Sequence, residues 1–274
     1  MVDLFGRQWA LTIGDQRFAG HRVVFDVSRA LSKHPDPAQI TIYNLPPQVR
    51  SSWTGGEQVR LVTGYAENAG VIYSGTLYGI TVQRDGPSIA TALSCRDGDA
   101  AFRATVSQAF SPQAPLSLVV GRLVSAMGLT LGPGSSGVLS GLAVRGSLVQ
   151  VGLAQEALEQ VLAPAGLRFV LQDGAVLIMP LDGATSEDAV LLSPATGLVG
   201  APEPLTDKTP RIGVVTPRLR VMSLLQPSIR PGRRIRLESS TFNGVYRCDT
   251  VHHRGDTEGQ DWYSVAEVSV LAGA

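Results

Sequence analysis

The sequence predicts a mainly β fold with an α+β insert, in which two β-barrel-like domains flank a small α+β module. Three observations point there. Alternating or β-branched segments follow one another through residues 8–95, the hydrophobic period becomes helical from about residue 112, and strand patterning returns after residue 210. The expected domains cover residues 1–110, 111–185 and 186–274.

In the first domain, segments 9–13, 22–27, 39–43, 58–65, 71–84 and 88–95 read as strands, because Val, Ile, Thr, Tyr and Phe alternate with polar residues or form short runs. Turns come from Gly14 with Asp15, from Asp36 with Pro37, and from Asp85, Gly86 and Pro87. Strand after strand without a long helical window favours an antiparallel barrel or sandwich. The exception is 46–53, where Pro46 and Pro47 suit one or two helical turns.

In the middle portion, Leu116, Val119, Val120, Leu123 and Met127 share one helical face, and Leu153, Ala157, Leu158, Val161 and Leu162 share another. Gly128 and Gly166 stand where those helices should end, and Asp173-Gly174 is a two-residue turn for a hairpin over 169–179. Residues 182–210, with Pro194, Pro202, Pro204 and Pro210, read as a long connection with one short strand at 190–192. Segments 211–222, 233–238, 244–252 and 262–271 supply the last strands, with Asn243-Gly244 as a hairpin turn.

The 274 residues are 44% hydrophobic, which is ample for folded cores and excludes disorder throughout. Only 17% are charged, low for a lone soluble chain, which points to sides covered by neighbours. No secretory signal is expected at the start, and the most apolar window, 116–131, contains Arg122 and is too short to span a bilayer. Two cysteines, Cys95 and Cys248, exclude a disulfide framework and a four-cysteine zinc site and leave room for one isolated bridge; two buried free thiols are expected.

Motifs for chemistry are weak. Gly132, Gly134 and Gly137 match a dinucleotide fingerprint in letters, but the residues that follow are poor helix formers, so a flexible glycine loop is expected, and no cofactor. His252 and His253 with Asp249, Asp256 and Asp261 could suggest a metal cluster, yet adjacent strand residues point to opposite faces, so no metal site is expected. No Gly-x-Ser-x-Gly elbow is present, and the acidic pairs Asp97/Asp99 and Glu187/Asp188 read as solvated turns rather than glycosidase carboxylates.

One electrostatic feature stands apart. Lys208, Arg211, Arg218, Arg220, Arg230, Arg233, Arg234 and Arg236 form a run without Asp or Glu. Since the whole chain has 23 basic and 23 acidic residues, everything outside these eight carries a net charge of −8. Such a run can hold an acidic protein surface or phosphates, and Arg218, Arg220, Arg230, Arg233, Arg234 and Arg236 are the candidate interface residues. The alternative is a set of strand residues paired with acids elsewhere in the fold; without interleaved aromatics, sequence-specific nucleic-acid readout is not expected.

The order of several segments resembles a family, the central hub proteins of bacteriophage baseplates, related to the late control gene D proteins and to the hub part of type VI secretion spikes. It rests on Val24-Phe-Asp-Val27, on residues 38–45, 59–65 and 72–77, on 157–169 with 173–180, and on 197–203, 223–232, 244–256 and 261–263. The resemblance implies a structural virion protein without catalytic, cofactor or metal sites: a homotrimer adapting a six-fold tail tube to a three-fold central spike. It implies partners in the tail tube protein, the spike protein and the baseplate wedge proteins, non-specific contact with DNA passing through the lumen, and a place in the tail baseplate after assembly in the bacterial host cytoplasm. Nothing resembles an appended needle or lysozyme domain. The rivals are a tail-associated cell-wall hydrolase and a carbohydrate-binding module, the latter disfavoured by an aromatic content of 6%.

Overall fold

A computed structural model describes residues 6–32, 34–205 and 218–271, apart from the side chains of residues 99 and 100. The described residues divide into two compact units, one holding those within 6–31, 36–96, 188–205 and 218–271, the other 32, 34, 35 and 97–187. The insert expected over 111–185 falls in the second unit, whose long segment begins at Asp97, and strands from both flanking segments share the first.

The first unit is built on one 13-stranded sheet. Its amino-terminal strands are β1 (Arg7–Ile13), β2 (Gln16–Phe18), β3 (Val23–Ala30), β4 (Pro37–Tyr43), β5 (Gln58–Tyr65), β6 (Gly70–Asp85) and β7 (Ser88–Arg96), with a helical turn α1 (Pro47–Arg50) between β4 and β5. In the second unit, α2 (Asp99–Phe102) precedes β8 (Thr105–Phe110), α3 (Leu116–Ala126), β9 (Thr130–Leu131), α4 (Ser135–Leu139), β10 (Leu148–Leu153), α5 (Ala154–Leu162), β11 (Leu167–Gln172) and β12 (Ala175–Pro180). The chain then returns to the first sheet with β13 (Val190–Leu192), β14 (Leu198–Leu205), β15 (Arg218–Leu224), β16 (Arg234–Glu238), β17 (Asn243–Asp256) and β18 (Trp262–Val270).

Alternation explains the sheet. In β3 every second residue from Val23 is buried, and β15 and β18 show the same rhythm, so one face packs a core while the other carries polar side chains. Phe25 and Trp262 meet edge to face, 5.4 Å between centroids, within a core that also holds Leu11, Ile40, Leu61 and Leu93. A second core gathers Val190, Leu219, Val221, Ile235, Val251 and Val268. Cys95 and Cys248 are free and buried. Among the described residues the strand path runs open from β14 to β2 and does not close on itself.

The strand order repeats. The first lobe runs β3-β4-β7-β6-β5-β1 and the second β14-β15-β18-β17-β16-β13, so β1, β3, β4, β5, β6 and β7 correspond in chain order to β13, β14, β15, β16, β17 and β18. In each lobe the long fifth strand is bulged, β6 between Leu77 and Gly79 and β17 between Cys248 and Thr250. The lobes differ in that β1 meets β5 antiparallel whereas β13 meets β16 parallel. They join where β17, after its bulge, pairs with β3 over Thr250–Asp256.

In the second unit, α3 buries its expected apolar stripe and α5 buries Ala157, Leu158, Val161 and Leu162 in a core with Phe110, Phe169 and Ile178, while Leu153, expected on that stripe, ends β10 and is only partly buried. Asp173 and Gly174, with φ of 52° and 78°, make the β11–β12 turn, as their sequence predicts. Three expectations need correction. Asn243 and Gly244 lie inside β17: the turn occupies residues 239–242, where Ser239 Oγ donates to the Phe242 carbonyl at 2.7 Å and Asn243 Oδ1 accepts from Ser239 N–H at 3.0 Å. The connection at 182–210 contains the eight-residue β14, which an edge position tolerates despite Pro202 and Pro204. The glycine loop at 132–137 is fastened rather than flexible: it leads into α4, where buried Ser135 Oγ accepts from Ile178 N–H at 3.0 Å.

Gly255 on β17 shows how tightly the joint is packed. A Cβ there would press into the rings of Phe25 and Trp262. Gly255→Ala is expected to destabilise the chain by about 1–3 kcal/mol, measured by urea unfolding, because neither ring has room to retreat. An unchanged unfolding midpoint would show that the core yields there.

Candidate partner interface

The structure separates the arginines that the sequence strings together. Lys208 and Arg211 lie outside the described residues. Arg218 and Arg220 stand on the solvent face of β15, alternating with buried Leu219 and Val221. Arg218 donates to Glu267 on β18 at 2.8 Å, and Arg220 lies 3.7 Å from the other oxygen of that carboxylate. The β14 register also sets Glu203 opposite Arg220. Both arginines thus share Glu267, and Glu203 stands across from Arg220 on the other neighbouring strand.

Arg234 and Arg236 project from the same kind of face on β16, alternating with buried Ile235 and Leu237. Arg236 pairs with Glu238 at 2.9 Å. Arg234 stands opposite Arg247, whose guanidinium is held by Asp249 at 2.8 Å. Arg230 and Arg233 serve the loop between β15 and β16. Arg230 donates to the carbonyls of Pro227 and Val71, both at 3.3 Å, while Arg233 donates to those of Asp188 at 3.0 Å and Ser228 at 3.1 Å.

The six candidates are therefore of two kinds. Arg230 and Arg233 tether backbone. Arg218, Arg220, Arg234 and Arg236 face outward, with the side chains of Arg220 and Arg236 half or more exposed, at 50% and 64%. Exposed pairs such as Arg220–Glu267 and Arg236–Glu238 contribute little to folding, so a partner's acids can compete for those guanidinium groups at small cost. The sequence displays the charges but not which acids meet them, because cross-strand register alone sets Glu203 opposite Arg220 and brings Glu267 to Arg218 from far along the chain.

The other chemically suggestive residues take structural places. His252 and His253 fall on opposite faces of β17. His253 is 1% exposed, shares a 2.8 Å hydrogen bond with Ser264 Oγ, and is held neutral, its pKa lowered to about 3 by burial and then by the Arg29 charge. Ser264 Oγ also accepts from Gln226 N–H at 3.0 Å, which fixes the loop after β15. Asp97, expected in a solvated turn, is instead buried and accepts from Asp173 N–H at 3.1 Å, so it braces the β11–β12 turn. Burial pushes the Cys95 thiol up to about 12 and raises the Cys248 thiol as well, making both poor nucleophiles.

His253 gives a pH signature. Folded, it stays neutral down to about pH 3, whereas in the unfolded chain an ordinary imidazole takes up its proton near pH 6.5. Between those values the unfolded state binds more protons, so this group lowers stability as pH falls, by up to ~1.4 kcal/mol per pH unit, and has no effect above pH 6.5. Urea midpoints taken from pH 7 to pH 4 are expected to fall less steeply for His253→Gln than for the native chain. Parallel slopes would contradict a buried neutral imidazole.

No protein-family model matches the sequence, and no curated protein does. Solved structures do match in fold. The tail protein from Neisseria meningitidis MC58 superposes with a TM-score of 0.66 at 12% identity, covering 97% of both chains. The 43 kDa tail protein of prophage MuSo2 from Shewanella oneidensis gives a TM-score of 0.67 at 10% identity, over 96% of this chain and 98% of that one. The E. coli c3393 protein, a type VI secretion component described as similar to the bacteriophage T4 tail proteins gp27 and gp5, gives 0.60 at 12% identity, over 96% of this chain and 77% of that one. The chain has the fold of phage tail and type VI spike-related proteins.

Proposed function

We propose that this chain is a structural, non-enzymatic tail component: a baseplate hub that assembles as a homotrimer and adapts a six-fold tail tube to a three-fold central spike. The observation that carries this is the repeated strand order of the two lobes. One chain with two lobes of like topology presents two similar surfaces, and three chains around an axis present six, which is what a six-fold ring can meet. The likeness of the whole chain to tail proteins supports the same assignment.

The hub lies in the tail baseplate of a virion assembled in the bacterial host cytoplasm, with tube, spike and wedge proteins as neighbours and a lumen for the passage of DNA. Its solvent-facing arginines, Arg218, Arg220, Arg234 and Arg236, meet an acidic neighbour. Arg230 and Arg233 hold the loop that presents them.

Light scattering across a concentration series tests the stoichiometry. The expected mass is three times the 28.9 kDa chain. A monomer at every concentration, or an assembly whose copy number is not a multiple of three, would overturn the hub.

A further inference from the structure

Strand β6 has an open edge where its counterpart β17 has none. Past its bulge, β17 is flanked by β18 on one side and by β3 on the other. Past its own bulge, β6 is flanked by β7 alone: the β5 side ends where Gly56 and Glu57 bond Leu77, and among the described residues no strand continues it. The β6–β7 ladder closes at Asp85 opposite Ser88, so Ile80, Val82 and Arg84 turn their backbone N–H and C=O groups away from β7.

Superposing the bulges makes Ile80 and Val82 the counterparts of Val251 and His253. Those two lie beside β3 and are 0% and 1% exposed, while Val82 is 48% exposed. Ile89, on the paired strand β7, is 39% exposed. The first lobe thus leaves bare an apolar edge that the second lobe covers with a strand.

The second lobe also shows which strand belongs there. The strand along β17 is β3, which begins the ladder of the first lobe; its counterpart is β14, which begins the ladder of the second. Among the described residues, no strand pairs with the edge of β14 that faces away from β15. We infer that β14 of a neighbouring copy lies along β6, repeating between copies the β17–β3 pairing that exists within each.

The register follows from the internal template. Within the chain Val27 stands opposite His253 and Asp26 opposite Arg254. Carried through the matching ladders, these become Pro204 opposite Val82 and Glu203 opposite Gln83. Pro204 has no N–H, so there the bonding runs one way, from β6 amide to β14 carbonyl. The same lack guards β14 against indiscriminate pairing before assembly. Two different edges meet, so the contact is head to tail and closes into a ring; the inference takes the three-copy hub as given and names the strands that join it.

The test uses two full-length variants with exposed substitutions, Gln83→Cys and Glu203→Cys, mixed and oxidised with diamide, while Cys95 and Cys248 remain buried. The expected result is a reducible two-chain product in the mixture and in neither variant alone. The double variant should form a ladder that ends at three chains. A mixture that light scattering shows to be assembled but that does not cross-link overturns the strand pairing and leaves the hub standing, as does self-linking of either single variant. A mixture that stays monomeric overturns both.

Discussion

The first unit depends on one strand that serves two lobes. β17 pairs with β16 over residues 243–247 at its start and with β3 from Thr250 onward, both on the edge away from β18. The bulge at Asp249 makes the change of partner possible. Just before it, Cys248 N–H donates to the Arg233 carbonyl at 2.9 Å and the Cys248 carbonyl accepts from Gly232 at 2.7 Å; at the bulge, the Asp249 carbonyl accepts from Leu31 N–H at 2.7 Å. Two strands can follow one another along a single edge only if the ladder is interrupted, and a bulge is the least disruptive interruption.

Much of the local structure was legible from residue pattern. The strand at 58–65 is found with those bounds, α3 buries the stripe that its periodicity marks, and α5 buries all of its own but Leu153. Local turn chemistry was a mixed guide. Asp173-Gly174 turns because both residues accept positive φ, but Asn243-Gly244 does not, because the Ser239 hydroxyl organises the preceding four residues into a turn first. β8 and β10 do not stand out in the sequence: in β10 Val149 and Val151 are exposed while Gln150 is buried, and the two strands lie some forty residues apart.

What stayed hidden was long-range register. The sharing of β17 between lobes and the repeated strand order are backbone facts, and side chains at matching positions differ: Val82 corresponds to His253 and Val27 to Pro204. The basic run shows the same limit. Its charge is plain in the sequence, but whether each arginine tethers a loop, as Arg233 does, or faces an acid across strands, as Arg218 does, is decided by pairing between segments remote along the chain.

The central claim is that two lobes of like topology let three chains mimic a six-fold ring. Electron cryomicroscopy of the assembled chain tests it most directly. The account requires particles with three-fold symmetry whose β density shows six similar lobes at near-equal angles about the axis. Three-fold particles with two lobes of unrelated orientation per chain, or particles of another symmetry, would contradict it.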